Sequence, residues 1–370
     1  TFTKIPKCYF KVEDTPTTFT VKVSKRPFEG SFLSPIFWDF ENNRELDYYL
    51  HGCYKGTVVD GKLKSIPDTY PTINKNIVQF RTDAMANGLG YQQLDMHAHF
   101  VLTYLMSIEL GSFNVQDFIQ GFSIGQYTAA HTVTVAQTAS NNIIVTNAVA
   151  SNYIVGQGVA LGTSLGGNQT FYGRTITAIT VHDASNTRIV VDGSPFNTIV
   201  GNIVYNVAYR NGFSTGLTQS VAVLNANDGK TPFVYRGIES PFADIWQFVD
   251  GININDWRTW VCDDARNYAS NVFASPYKAL SYLNSNTNNW ISRLGFDANN
   301  PTVLMPIQTT GSNTNWIGDY YWQSNGQRIA LVGGYWNFGS YCGLSAWYLH
   351  ISSSFASVTF CARLLKKPLL

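Results

Sequence analysis

Charge is scarce in this 370-residue chain: Asp, Glu, Lys and Arg together make up 13% of it, and they net to +1. A chain this close to neutral offers no basic stripe for phosphate, so nucleic acid is not expected as a partner. The one basic cluster, Lys366-Lys367, reads as a solvated end. No run approaches the roughly 18 apolar residues of a membrane span, so no membrane insertion is expected. The start, Thr1-Phe2-Thr3-Lys4, has no signal-peptide pattern, and the missing initial Met points to a fragment or a processed chain. Cysteine is also sparse: Cys8, Cys53, Cys262, Cys342 and Cys361 are odd in number and far apart, with no C-x-x-C pair. That spacing speaks against zinc and thioredoxin-like sites and for reduced, buried thiols in a protein made in a cytoplasm.

Catalytic motifs are missing as well. No G-x-S-x-G, H-E-x-x-H or phosphate-binding loop occurs, so no catalytic residue and no cofactor is assigned. Asp263-Asp264 are the nearest thing to a hydrolytic carboxylate pair, and a solvated acidic turn explains them better. His97 and His99 stand two apart, which on a helix places them on different faces, so they are read as surface or capping histidines and no metal is assigned. Asp250 and Asn253 supply two oxygens from one turn, too few for a calcium site.

What is abundant is aromatic side chain, 14% of the residues. It is concentrated near the end. From Gly334 to Ala362 there is no Asp, Glu, Lys, Arg, Gln or Met. Small residues there alternate with Tyr, Phe, His, Ile and Thr around Trp336 and Trp347. Paratopes use this composition: aromatic rings give contact area at low entropic cost, and Ser, Gly and Asn give adaptable polar contacts. Buried strands can have it too, but Tyr348, His350, Ile351, Phe355 and Thr359 do not hold one period-2 alternation. Tyr335, Phe338, Tyr341, Cys342, Tyr348, His350, Ile351, Phe355 and Thr359 share a further property. Each is reachable from an Asn codon, AAC or AAT, by changing adenines only. Such changes never yield Lys, Glu, Gln, Met, Trp or a stop.

The rest of the chain falls into three parts. Tyr9–Val12 and Phe19–Val23 around Glu13-Asp14-Thr15-Pro16 read as a hairpin, followed by extended pieces at 35–38 and 46–54. Residues 74–87 and 95–110 read as helices stopped by Gly88 and Gly111. From 122 to 212 charges nearly vanish, and six short Val/Ile/Thr runs (132–136, 142–145, 159–161, 175–181, 188–191 and 202–205) suggest a small antiparallel barrel or sandwich inserted in a loop. Residues 162–173 look like an exposed hairpin tip. Strand-like patterns resume from 213.

The segment 333–363 resembles the variable region of proteins diversified by a retroelement with adenine-specific mutagenesis, a family that includes a phage tropism determinant. Upstream landmarks agree in order: Ile5–Val12, Leu46–Gly56, Phe80-Arg81-Thr82-Asp83-Ala84, Tyr235-Arg236-Gly237-Ile238-Glu239, Ile245–Asn253 and Arg328–Gly334. The resemblance covers about 1–121 and 213–370. It implies an α+β C-type-lectin fold interrupted by the all-β insert, with Arg236 and Glu239 as paired neighbours beneath the variable loops. Formylglycine-generating enzymes share that fold but use a close cysteine pair, which Cys342 and Cys361 do not form. The resemblance also implies function. The protein is expected at a phage tail-fibre tip, as a homotrimer among other virion tail proteins, binding a bacterial cell-surface protein or glycan through the nine adenine-reachable residues, without chemistry. The alternative is a virion structural protein whose C-terminal aromatics are core packing. On the binding expectation, Tyr348→Ala leaves the melting temperature nearly unchanged.

Overall fold

The strand Trp246–Asn255 carries apolar or uncharged side chains toward both faces, apart from Asp250, and every residue but the last is buried. Such a strand needs cover on both sides. In the computed structural model, which describes residues 1–15, 17–217 and 219–369, it is the spine of an eight-stranded sheet. The path runs Lys278–Ala279, Arg258–Val261, Trp246–Asn255, Gln327–Gly333, Gly343–Leu349, Tyr320–Gln323, Asn289–Trp290, and Phe360–Cys361 adds in parallel to Trp246–Asn255. Tyr320–Gln323 also runs parallel to Gly343–Leu349; the other pairings are antiparallel.

The two expected helices form and cover opposite faces of this sheet. Ile77–Met85 starts at a capping box between Asn76 and Gln79, which satisfies two otherwise orphan backbone donors. It contributes Ile77, Phe80 and Ala84 to a core with Trp246, Phe248, Leu331 and Phe360. Met96–Leu110 is capped by Asp95, which accepts from the Ala98 N–H at 2.7 Å, and ends on Gly111 at φ 71°. It packs on the other face, with Val249, Val332 and Trp347.

A second sheet ties the ends of the chain together, in the order Phe2–Pro6, Tyr48–Gly52, Leu364–Lys366, Tyr91–Gln93. Its lock is Arg363, which is fully buried. Its guanidinium donates to Gln247 Oε1 at 2.7 Å, to the carbonyls of Gly52 and Cys53 at 3.0 Å, and to that of Glu239 at 2.7 Å. Lys55 and Asp244 form a buried pair at 2.6 Å nearby. The hairpin Tyr9–Asp14/Phe19–Ser24 forms in register; Pro16 of its turn lies outside the described residues.

The α+β C-type-lectin expectation is overturned. The chain is mostly β, 38% strand against 11% helix, and its strands are spread over many small sheets with no closed barrel. The physical reason lies in the punctuation. Between 256 and 319, Asn, Ser, Gly and Pro interrupt every apolar run, so the only strands there after Arg258–Val261 are two or three residues long. Landmarks that suggested the lectin scaffold also make other contacts. Arg236 pairs with Glu109, at 2.7 and 2.6 Å, rather than with Glu239. Buried Glu239 instead accepts from the N–H groups of Gly212 and Ser214.

The inserted barrel or sandwich is corrected too. Residues 142–207 make an open five-stranded antiparallel sheet in the order Asn142–Thr146, Asn186–Val191, Gly167–Val181, Gly158–Ser164, Ile203–Val207. The run expected as its first strand, 132–136, makes only a single bridge to each sheet edge, Thr132 to Ile203 and Val135 to Ile144. One pair on each side cannot build the ladder that closes a barrel. The expected exposed tip is half-buried: Gly166 lies against Tyr127 and Val358, and Tyr172 Oη donates to the Val358 carbonyl at 3.3 Å.

Candidate functional site

The strand Gly343–Leu349 alternates its side chains across the main sheet. Trp347 points into the core, edge-on to His99 at 5.3 Å. Tyr348 points to the other face, level with Trp322 on one side and Leu331 on the other. Tyr320 and Trp322 share that face by the same alternation, and Trp290 pairs with Tyr320. Toward this edge of the sheet no helix among the described residues covers the face, and half-buried rings collect there.

The loop 334–342 folds over these rings. Gly334 at φ 85° permits the turn, and a Cβ on it would overlap Cys342. A short 3-10 turn, Gly339–Tyr341, then sends the chain back into the sheet. The result is a continuous aromatic surface. Tyr341 stacks on Trp290 at 4.9 Å and meets Tyr320 edge-on at 4.7 Å. Phe338 lies 4.8 Å from Trp322 and 4.3 Å from Tyr335. Tyr348 lies 6.1 Å from Trp322 and 5.6 Å from His350. Phe355 joins through Phe360, at 5.9 Å. Burial pushes the Tyr335 phenol up to about 12 and raises those of Tyr348 and Tyr320, so all three are neutral hydrogen-bonding groups at pH 7.

The nine adenine-reachable residues therefore divide. Tyr341, His350 and Phe355 are exposed; Tyr335, Phe338 and Tyr348 are half-buried on the same surface. Cys342, Ile351 and Thr359 are buried and do not reach it. The Cys342 thiol lies 3.4 Å from the Tyr335 carbonyl, with Gly334 packed on it, which leaves room only for a small side chain. Ile351 belongs to the core beneath, and the Thr359 carbonyl accepts from Trp246 N–H at 3.1 Å. Tyr348 also rests on Trp246 at 5.5 Å, so truncating it costs stability as well as surface. Tyr341 is the cleaner probe. Trp290, Tyr320 and Trp322 were not among the expected site residues because they lie outside the variable stretch. Tyr320-Tyr321-Trp322 did carry the signal, since alternation puts its outer two rings on one face.

A buried carboxyl sets the base of this loop. Asp319 accepts from the Ser345 N–H, and Gly343 is packed so closely on it that any Cβ would overlap the carboxyl. Asp319 Oδ1 has no partner, and burial raises its pKa well above the ordinary 3.8. The fold thus prefers the protonated acid, and its contribution to stability declines as pH rises from about 4 through the raised value. Asp319→Asn keeps the acceptor for Ser345 and cannot ionise. It is expected to raise the melting temperature more at pH 8 than at pH 5, measured by thermal unfolding.

Other residues singled out in the sequence have structural partners. His97 Nδ1 lies 2.8 Å from Thr302 Oγ1, and His97 and His99 are both buried rather than on the surface. Asp250 is held bidentately by Arg81, both contacts 2.7 Å, and Asn253 donates to the Ala269 carbonyl at 2.9 Å. Asp263 pairs with Lys278 and Asp264 with Arg266. All five cysteines are buried and unpaired. A cavity of about 280 Å³ opens beside Met85, Leu89 and Tyr91 above the Arg81–Asp250 pair. Its floor groups bond one another, leaving only Gln93 Oε1 unpaired among them. No helix among the described residues is long and apolar enough to cross a membrane. In comparisons with known proteins, no family model matches the chain and no curated protein matches it.

Proposed function

We propose that the protein is a phage or prophage receptor-binding protein whose C-terminal aromatic surface is varied by adenine-specific mutagenesis. In this reading it grips a bacterial surface ligand and performs no chemistry. One observation carries it: the split between tryptophan and the adenine-reachable residues. Trp has a single codon, TGG, which contains no adenine. Trp336 and Trp347 are 0% and 2% exposed. Six of the nine adenine-reachable residues are instead exposed or half-buried. The two buried tryptophans of the segment are thus beyond the reach of adenine-specific mutagenesis.

Aromatic anchors at the centre of such a surface supply most of the binding energy. A homotrimer on a virion tail, among other tail proteins, would multiply weak single-site contacts. The second reading is a virion structural protein whose C-terminal aromatics only pack. Buried Cys342, Ile351 and Thr359 favour it. Sequencing the DNA that flanks the coding region separates the two. A reverse-transcriptase gene beside a near-copy of the segment encoding 333–363 is the result expected for the binding protein. Flanks without either leave the structural reading standing.

A further inference from the structure

A groove of about 700 Å³ runs between the segment 123–126 and the aromatic surface. One wall is Ser123, Ile124 and Gln126; the floor is Tyr320 and Trp322; the rim is Asn337, Phe338, Ser340 and Tyr341. The two sides are tied together, so the groove is preformed. Gly125 N–H donates to the Trp336 carbonyl at 2.5 Å and Gly339 N–H to the Ser123 carbonyl at 2.7 Å. Among the described residues, no carboxylate, ammonium, guanidinium or imidazole lines it. What it presents are ring faces, one amide on each side and serine hydroxyls.

From this we infer that the groove takes a neutral glycan, stacked on an invariant floor beneath a rim that varies. The inference rests on the proposed binding function and names its ligand class. A pyranose has an apolar C–H face, slightly positive at its hydrogens, which suits the negative face of an aromatic ring. Its hydroxyls donate and accept, matching side-chain amides and hydroxyls that do both. A charged glycan or an acidic peptide would find no opposite charge among the lining residues. Tyr320 and Trp322 lie upstream of the variable stretch, whereas Asn337, Phe338 and Tyr341 lie within it. Ligand class is thereby constant, and the choice among glycans changes with the rim.

The test is a titration of the full chain with neutral trisaccharides built from glucose, galactose, mannose and N-acetylglucosamine, followed by tryptophan fluorescence and saturation-transfer NMR. The expected result is binding of at least one with a Kd on the order of millimolar, with saturation strongest on the C–H protons of one ring face. Tyr341→Ala, an exposed position, weakens it at least tenfold, and Trp322→Ala does the same if its melting curve stays cooperative. Val181→Ala, on the outside of the inserted sheet, leaves it unchanged. Absence of binding by every trisaccharide at about 10 mM, or binding indifferent to Tyr341→Ala, overturns the glycan assignment. Codon variation separates the two levels. A failed titration beside adenine-limited variation removes the glycan and keeps a varied protein-binding surface; invariant codons remove the reading on which the glycan rests.

Discussion

Arg363→Met is expected to destabilise the protein by about 3 kcal/mol, because it takes the donor from several buried neutral acceptors at once. The guanidinium spans strands from both ends of the chain, and its removal takes the side-chain donor from the carbonyls of Gly52 and Glu239, while that of Cys53 keeps only the Glu239 N–H at 2.8 Å. Each acceptor so orphaned costs roughly 1–3 kcal/mol. Lysine is no substitute, because one ammonium cannot reproduce the planar fork, so Arg363→Lys is expected to lose most of the same stability. Urea unfolding followed by tryptophan fluorescence measures both. A loss below about 1 kcal/mol for Arg363→Met, the level of an ordinary surface change, would mean that the two ends of the chain are held by something else.

Acid is the second large lever. His51 and His99 are buried, and burial drives both pKa values down, His99 to about 4 and His51 well below 6.5, with the Arg363 charge adding to the effect at His51. Neither ring nitrogen of His51 has a partner. A histidine whose folded pKa is lowered contributes stability above its unfolded pKa and loses it as pH falls toward the folded one. The window here runs from about 6.5 down to about 4. At 1.36 kcal/mol per unit, His99 alone costs about 3 kcal/mol by the bottom of that window. The raised carboxyls of Asp319 and Glu239 work in the opposite direction and offset part of the loss. The net expectation is a melting temperature that falls between pH 7 and pH 4.5, and falls less in His99→Phe. An identical pH dependence in variant and wild type would contradict the assignment of a neutral, buried imidazole.

Local chemistry made some of this fold legible in advance. The Asp95 cap and the Gly111 stop bracket the longer helix where they were expected, because capping is decided within a few residues. The hairpin 9–24 and most inserted strands were visible for the same reason. Pairing partners were not. Nothing local says that Arg236 chooses Glu109 over Glu239, or that Leu364–Lys366 lies between Tyr48–Gly52 and Tyr91–Gln93. The lectin expectation failed at that level: it was built on the order of landmarks, and order does not determine which strand neighbours which. In the candidate site, composition and codon logic singled out a stretch but could not tell which of its side chains would be buried. Cys342 follows a turn that folds it inward, Ile351 falls on the core side, and Thr359 sits in a turn bonded to Trp246 N–H. Trp290 reaches the surface from far upstream through a two-residue strand no periodicity would have found.

Sequencing the codons for residues 320–365 across a natural population tests the central claim most directly. The proposed function predicts changes confined to adenine-derived positions, with full variety at Tyr335, Phe338, Tyr341, Tyr348, His350 and Phe355. Substitution at Cys342, Ile351 and Thr359 is predicted to be narrow, limited to what the core admits. Trp336, Trp347, Tyr320 and Trp322 are predicted not to vary. Uniform codons throughout, or changes scattered over the strands regardless of base, would contradict it and return the aromatic surface to packing.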